Sequence, residues 1–422
     1  MGRQVGATLI GLLSQILIAR FYGPAGNGII AVALLLPTTL ATFLNLGITP
    51  ANVYFVASSQ VSLRKAWYTT VRLGGLICLA GMAIGIAAIQ LRPQWFTGVP
   101  PLALWLAMAT FPPSLFAGLI DGLFQAQQNF KVFNRLGLLL PIVQLALVGC
   151  LVGFRVRDPS WVIASQLLSC VTLLVIGLRL LRGQLATRPS LFPSTYKWQA
   201  LSYGYRAHLG NIVQFLNYKA DIFLVNLFLG PTATGFYVVA VNIAERLWLL
   251  SQATSSVILP RLSELSNDPS RRDQLTPLLA RWMLASSAIA ALMAAIAVPA
   301  LIPVAFGSRY SQSIISFLSL LPGIALLSGS RVLANDIAAR GKPELNMALA
   351  IVVLVVNVFG NIFLIPRLGV AGAALSTSIS YSIDFALRLC LHHRFTGINP
   401  LMNVLIQKSD FARLRWLKPS AS

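Results

Sequence analysis

The sequence predicts an all-α polytopic membrane protein with about 12 transmembrane helices. Hydrophobic residues make up 56% of the chain and charged residues only 10%, with a mean hydropathy of +0.75. A soluble domain carries about 25% charged residues. The apolar residues lie in continuous runs such as 280–304, and a helix needs about 20 of them to cross the hydrocarbon core. Strands of a membrane barrel would instead alternate polar and apolar residues.

Breaks that contain glycine, proline or asparagine separate the apolar runs, as at Gly23-Pro24 and Pro100-Pro101. Between these breaks the spans are predicted near residues 3–20, 29–51, 68–90, 101–120, 134–154, 160–181, 204–229, 234–258, 280–304, 312–335, 346–365 and 370–391.

The net charge of +21 indicates how the chain is oriented. If the N-terminus is inside, most Lys and Arg residues fall on the inner side, as cytoplasmic loops require. Both termini are therefore predicted to be cytoplasmic. An anionic inner leaflet accounts for the basic loops, so no nucleic-acid partner is predicted.

Nothing in the sequence predicts catalysis or a cofactor. The four cysteines lie inside apolar runs without CxxC spacing, which is typical of small apolar packing residues. The chain has no GxxxxGK[ST] motif, so ATP is not predicted to drive it directly. We therefore expect a protein that is not an enzyme and holds no metal.

The chain contains an internal repeat. Gly23-Pro24-Ala25-Gly26-Asn27-Gly28 and Gly230-Pro231-Thr232-Ala233-Thr234-Gly235 both follow an odd-numbered predicted span, with their prolines 207 residues apart. This spacing predicts a duplication, as in many transporter folds. The expected organisation is a six-helix lobe (1–182), a basic cytoplasmic linker (183–203), a second six-helix lobe (204–393) and a basic cytoplasmic tail (394–422).

Several motifs occur in the order of a known superfamily. They are Ala19 to Pro24 with Gly28, Leu44 to Ile48, Asp221 to Gly230 with Gly235-Phe236-Tyr237, Pro260-Arg261-Leu262, and Ile365 to Ala374. With these the chain resembles the multidrug/oligosaccharidyl-lipid/polysaccharide exporter superfamily, and within it the polysaccharide biosynthesis branch of lipid-linked oligosaccharide (O-antigen) flippases. The resemblance covers essentially the whole chain, although each motif is loose.

The resemblance implies two six-helix bundles around a central cavity, working by alternating access. It implies a polyprenyl diphosphate-linked oligosaccharide as substrate and the bacterial cytoplasmic (inner) membrane as location. Membrane lipid, a polysaccharide polymerase and glycosyltransferases are the other partners it suggests.

Charged residues within the spans are the candidate substrate-binding residues. A charge at mid-membrane costs about 2.5–3.5 kcal/mol, so it needs a partner or water. The candidates that would offer positive charge to a diphosphate are Arg20, Lys219, Arg246 and Arg331. Arginine binds phosphate with two parallel hydrogen bonds, whereas lysine acts as a point charge.

Three further polar residues are predicted to line the cavity. Asp221 and Glu245 are expected to pair with cations from other spans, and Asn45 lies on a polar stripe of the second span. The alternative is that such polar groups only hold helices together.

Asp121, Asp336 and Arg340 lie near the inner ends of the fourth and tenth spans, at equivalent places in the two lobes. We predict that they form gating ion pairs. Anchoring at the membrane interface is the alternative.

Three other functions are weighed against the flippase. A cation-coupled drug exporter would want an acid in the first lobe, where the only acids through the sixth span are Asp121 and Asp158, both at span ends. A lipid II flippase of the same superfamily usually has more spans. A polytopic glycosyltransferase or polymerase needs large loops with acidic groups, and residues 182–203 contain none.

Overall fold

A computed structural model describes residues 2–185, 196–248, 258, 262–264, 268–407 and 410. Parts of four predictions lie outside these residues: 186–195 of the predicted linker, 249–257 of the predicted eighth span, Pro260 and Arg261 of the motif that follows it, and 408–409 with 411–422 of the predicted tail.

The described residues form α-helices, joined by short turns and 3₁₀ segments. The helices are α1 (Gly2–Leu44), α2 (Ile48–Ala57), α3 (Leu63–Leu91), α4 (Pro101–Ala126), α5 (Phe130–Gly153), α6 (Ser160–Leu185), α7 (Tyr196–Arg246), α8 (Pro269–Phe306), α9 (Gln312–Ala339), α10 (Pro343–Leu368) and α11 (Val370–Thr396). Within this part of the chain, 10 helices are long and apolar enough to cross a membrane, and α2 is the short exception. The all-α membrane fold is confirmed.

Two of the ten helices each contain a sharp turn at a glycine. Gly23 in α1 has φ 68° and ψ −175°, and Gly230 in α7 has φ 79° and ψ −177°. Glycine adopts this region without steric cost, and Pro24 or Pro231, which follows it, has no N–H for the helix ladder. The two copies of the repeat therefore have the same backbone conformation.

The turns make each of these helices double back on itself. Tyr237 donates a hydrogen bond to Asp221 although the two are 16 residues apart, which on a straight helix would be about 24 Å at 1.5 Å per residue. In α1, Gly11 and Leu34 line the same cavity from opposite sides of the turn. The sequence predicted a break between two spans at each of these places.

One boundary differs from the prediction for a packing reason. The second span was expected to run to residue 51, but α1 ends at Leu44 and a turn leads into α2 at Ile48. Gly47 in this turn has φ 68°, and a Cβ there would lie 2.2 Å from the carbonyl oxygen of Gly204. No local sequence pattern predicts that α7 approaches this turn so closely. Of the predicted linker, residues 183–185 belong to α6 and residues 196–203 to α7.

The chain divides into two compact units, Met1–Val238 with Ala305–Arg309 and Val239–Val304 with Tyr310–Ser422. In the first unit, glycines let α3 approach α4: a Cβ at Gly81 would lie 2.4 Å from the ring of Phe111, and one at Gly85 would lie 2.5 Å from Met108. Small residues at helix contacts are typical of membrane helices, where close van der Waals packing replaces the hydrophobic effect. Leu79 and Ile296, by contrast, are more than 70% exposed, as lipid-facing residues would be.

Candidate functional site

Asp221 is a buried carboxylate within the first unit. It is 4% exposed and accepts hydrogen bonds from the Tyr237 hydroxyl and, at 2.8 Å, from the backbone N–H of Ile222. Tyr237 lies on the other arm of the turn, so the contact ties the two arms together. Lys219, two residues earlier, is half-buried. The expected pairing of Asp221 and Glu245 with cations stays a prediction.

Asn45 and Arg20 also lie in the first unit. Asn45 occupies the turn after α1, and its Oδ1 atom is buried with no hydrogen-bond donor among the described residues. Such an acceptor costs about 1–3 kcal/mol, so a water or a polar ligand group would be stabilised there. Arg20 is exposed, one turn before Gly23.

The second unit contains Glu245, Arg246 and Arg331, all half-buried. The guanidinium carbon of Arg331 lies 5.0 Å from the ring centroid of Trp248, and that ring lies 6.1 Å from Tyr381. Both aromatic residues are buried. A cation held over a tryptophan face is stabilised by the ring quadrupole. Sequence reasoning selected Arg331 but missed both aromatic partners, because nothing in the pattern of a span distinguishes them from lipid-facing aromatics.

The predicted gating residues form ion pairs within single units. Arg3 donates to Asp121 at 2.8 Å, joining α1 to α4. Asp336, which is fully buried, accepts from Arg340 at 2.7 Å and from Thr276 at 3.1 Å. These contacts tie helices together, and the gating role stays a prediction.

Sequence reasoning did not identify the partners of these residues. Arg272 approaches Asp336 to 3.8 Å, and Asp273 accepts from Arg340 at 2.5 Å. They lie more than 60 positions from Asp336 and Arg340, and a single sequence carries no signal for such pairs.

Most of the described aspartates are similarly paired with arginine. The pairs are Arg3–Asp121, Arg340–Asp336, Arg340–Asp273, Arg388–Asp384 and Arg281–Asp410. No group of three or more His, Cys, Asp or Glu in the described ranges is placed to hold a metal ion. Arginines therefore engage these five carboxylates.

The first unit also has an open pocket of about 320 Å³ between the arms of α1 and helices α5 and α6, with Val238 of α7 in its lining. Its polar lining consists of hydroxyl and amide groups, with no carboxylate among the lining residues that the structure describes: Ser14, Gln15, Asn27, Gln144 and Gln166.

A buried hydrogen-bond chain anchors the start of α7 to the first unit. The Tyr196 hydroxyl donates to Asn52 Oδ1 at 2.6 Å, and Asn52 Nδ2 donates to Thr70 at 2.8 Å. Burial raises the pKa of Tyr196 to about 12, so the hydroxyl stays protonated and donates throughout the physiological pH range.

Replacing Tyr196 with phenylalanine should therefore lower the free energy of unfolding by about 1–3 kcal/mol, because Asn52 Oδ1 loses its donor in a buried place. Thermal unfolding in detergent measures the change. Tyr205→Phe is the matched control, since Tyr205 lies on the same helix and is 59% exposed. Equal midpoints for the two variants would contradict the prediction.

Comparisons with known proteins give three principal similarities. The chain is 24% identical over 211 residues to a probable low-salt glycan biosynthesis flippase, Agl15, of Haloferax volcanii, covering 48% of this chain and 41% of that protein. It is 23% identical over 396 residues to a probable flippase, AglR, of the same organism, covering 92% and 80%. The fold matches the lipid II flippase MurJ in an inward closed conformation with a TM-score of 0.77 and 15% identity, covering 98% and 89%.

The match to Agl15 spans less than half of either protein, and the match to MurJ, at that identity, concerns the fold alone. The family assignment has a broader basis. The model of a family described as "Polysaccharide biosynthesis protein" matches residues 17–315, which is well over half of the chain. The chain therefore belongs to the polysaccharide biosynthesis protein family, a family of membrane transport proteins and not of enzymes.

Proposed function

We propose that this protein is a flippase that moves a polyprenyl diphosphate-linked oligosaccharide across the cytoplasmic membrane of a bacterium by alternating access. It would supply cell-surface polysaccharide synthesis, with a polysaccharide polymerase and glycosyltransferases as partners. The apolar polyprenyl tail stays in lipid, and only the sugar and diphosphate need a polar path through the protein.

The proposed architecture follows the duplicated turn. If each arm of α1 and α7 is counted as a span, the ten candidate helices correspond to twelve spans, in two six-helix lobes (1–182 and 204–393) around a central cavity. The distribution of Lys and Arg favours a cytoplasmic linker (183–203), a cytoplasmic tail (394–422) and both termini inside.

The observation that carries the proposal is Arg331 and its aromatic support. A guanidinium is held within a membrane helix, half-buried, over the buried ring of Trp248. A cation beside a tryptophan ring keeps its full positive charge, and arginine is the side chain that binds phosphate with two parallel hydrogen bonds. We assign the diphosphate to this arginine, with Arg20, Lys219 and Arg246 as further cations and Asn45, Asp221 and Glu245 as polar lining.

Two functions within the superfamily remain as alternatives. A cation-coupled multidrug exporter is disfavoured by the hydroxyl and amide lining of the cavity in the first unit. A lipid II flippase would share the fold and would be distinguished by the lipid-linked substrate that it accepts.

The test is transport in liposomes that contain the purified protein. The probe is a polyprenyl diphosphate carrying a fluorescent oligosaccharide, and an impermeant quencher reports how fast the inner pool reaches the outer leaflet. We expect a rate well above that of protein-free liposomes. Equal rates would contradict the proposal, and transport of ethidium in place of the lipid would favour the drug exporter.

The same assay tests the binding residues. Charge-neutralising variants Arg20→Gln, Lys219→Gln, Arg246→Gln and Arg331→Gln should each slow flipping while the protein stays folded in the membrane. Arg367→Gln is the control, because Arg367 is exposed at the end of α10 and donates to the carbonyl of Phe363 in its own helix. Unchanged flipping in all four variants would exclude these cations as the diphosphate site.

A further inference from the structure

The chain turns back after α11 and packs against the second unit. Gly397 caps the end of the helix with φ 70°, a left-handed conformation that glycine adopts without steric cost. Residues 397–407, which we call the terminal segment, follow with a 3₁₀ turn at Pro400–Asn403. Asn403 in this turn is fully buried. The first part of the predicted basic tail is therefore a packed component of the fold.

Contacts with α8 and with a hydrophobic cluster hold the terminal segment in place. Arg281 of α8 donates to the carbonyl of Met402 and pairs with Asp410, which lies just beyond the segment, at 2.5 Å. Asp410 in turn accepts from the backbone N–H of Gln407 at 2.8 Å. Val404 packs against a buried cluster that contains side chains of α8, α9 and α11. The segment thus joins α8 to α11 within the second unit.

His392, in the last turns of α11, contacts the terminal segment. It is 1% exposed, and its Nδ1 atom lies 3.3 Å from Nδ2 of Asn403. An amide nitrogen can only donate, so Nδ1 accepts and the single proton of the neutral ring is on Nε2. Nε2 has no hydrogen-bond partner among the described residues, and Oδ1 of Asn403 is likewise buried without one. In this arrangement the imidazole is neutral.

Protonation of His392 is costly for either orientation of the Asn403 amide. In the observed orientation, a proton added to Nδ1 would face the amide N–H, and both groups would be donors. With the amide reversed, Oδ1 could accept from Nδ1, but the charged ring would still hold an Nε2 proton that no described residue accepts. Since a buried charge needs a partner, the docked segment favours the neutral ring.

The carboxylates near His392 are already paired with arginine. The ring interacts electrostatically with Asp336 and Arg340 of α9, with Asp273 of α8 and with the adjacent His393. Arg340 donates to both carboxylates, at 2.7 Å to Asp336 and at 2.5 Å to Asp273. Charged residues on the neighbouring turns of these elements and at the start of α10 are Arg272, Lys342, Glu344, Asp384, Arg388 and Arg394. A proton on His392 would therefore add a positive charge that the Arg340 pairs do not neutralise.

We propose that His392 is a proton-binding site that controls the docking of the terminal segment. The segment docks on the neutral imidazole, and protonation favours an undocked state in which water solvates the charged ring. An exposed histidine has a pKa of about 6.5, so docking is at full strength above this pH and weakens as the pH falls below it. Each further unit of acidification should raise the undocked population about tenfold, until the docked ring itself takes up a proton.

A cysteine at position 404 reports the docking. In a purified chain whose four native cysteines are alanine, Val404→Cys should react with a maleimide mainly from the undocked state, because Val404 packs against the cluster in the docked one. Leu405→Cys, at a neighbouring position that is 61% exposed, measures the effect of pH on the thiol reaction itself. The ratio of the two labelling rates, Val404→Cys over Leu405→Cys, should rise roughly tenfold between about pH 6 and pH 5. An unchanged ratio would overturn the proposal.

Histidine variants assign the response to one residue. His392→Gln should abolish the rise, because glutamine does not titrate, whereas His393→Gln, at the adjacent exposed position, should keep it. A rise that persists in His392→Gln, or one that vanishes in His393→Gln, would overturn the assignment. If His392→Gln does not fold, His208→Gln and His393→Gln decide by elimination, because the chain has three histidines. Retention of the rise in both variants would support His392, and its loss in either would overturn the assignment.

The labelling uses protein in detergent and needs no lipid-linked sugar. A failure of the flipping assay would leave the docking result intact, and an unchanged labelling ratio would leave the proposed substrate intact. The two proposals therefore fail separately.

Discussion

Replacing Arg281 with alanine should lower the free energy of unfolding by about 3–5 kcal/mol, because it leaves a buried carboxylate without its counter-charge. Arg281 donates from Nε to Asp410 at 2.7 Å and from Nη2 at 2.5 Å, and both side chains are at least 97% buried. Arg281 also donates to the carbonyl of Met402. The residue therefore connects α8 to the segment that follows α11.

Three companion variants identify the cause of the loss. Arg271→Ala, at an exposed position near the start of α8, should change stability by less than about 0.5 kcal/mol. Arg281→Lys should be intermediate, because an ammonium cannot make the two parallel bonds. Arg281→Met combined with Asp410→Leu should recover most of the loss, since it removes both charges. Thermal unfolding in detergent ranks the four, and a midpoint for Arg281→Ala equal to that of Arg271→Ala would contradict the prediction.

The helices could be predicted from hydropathy because a chain in the membrane must satisfy its backbone hydrogen bonds internally. Unsatisfied N–H and C=O groups are too costly in lipid, so an apolar run of sufficient length becomes a helix. The positions of the two turns could also be predicted from the sequence, because Gly23-Pro24 and Gly230-Pro231 interrupt the helical hydrogen bonds through their own backbone chemistry. The end of α1 at Leu44 could not be predicted in this way, since it depends on the approach of Gly204 from a distant part of the chain.

The candidate site was predictable only in its charges. Lys219, Asp221 and Arg331 stand out because a charge in a span is costly and rare. Their contacts do not stand out, since Tyr237 and Trp248 occur in spans for many reasons. The ion partner of Asp121 lies 118 residues away in the sequence. A single sequence contains no information that would identify such a distant pair.

Replacing Arg331 with glutamine should slow flipping of the lipid-linked oligosaccharide by about 10- to 100-fold, since a hydrogen bond to a charged group contributes about 1.5–3 kcal/mol. Arg331→Lys should retain more activity than Arg331→Gln, because it keeps the charge and loses only the bidentate geometry. The liposome assay with Arg367→Gln as control measures both, and a wild-type rate for folded Arg331→Gln would contradict the assignment.

Trp248 separates a specific role for Arg331 from a general need for positive charge. Trp248→Leu leaves the net charge unchanged and removes the ring beneath the guanidinium, whose contribution is about 0.5–2 kcal/mol. Flipping should fall by roughly 2- to 30-fold, and the combined Trp248→Leu and Arg331→Gln variant should be little slower than Arg331→Gln alone, because residues in contact are coupled. If the losses of flipping rate in the two single variants add fully in the combined variant, the ring acts independently of Arg331. That result would contradict the aromatic support of Arg331 in phosphate binding.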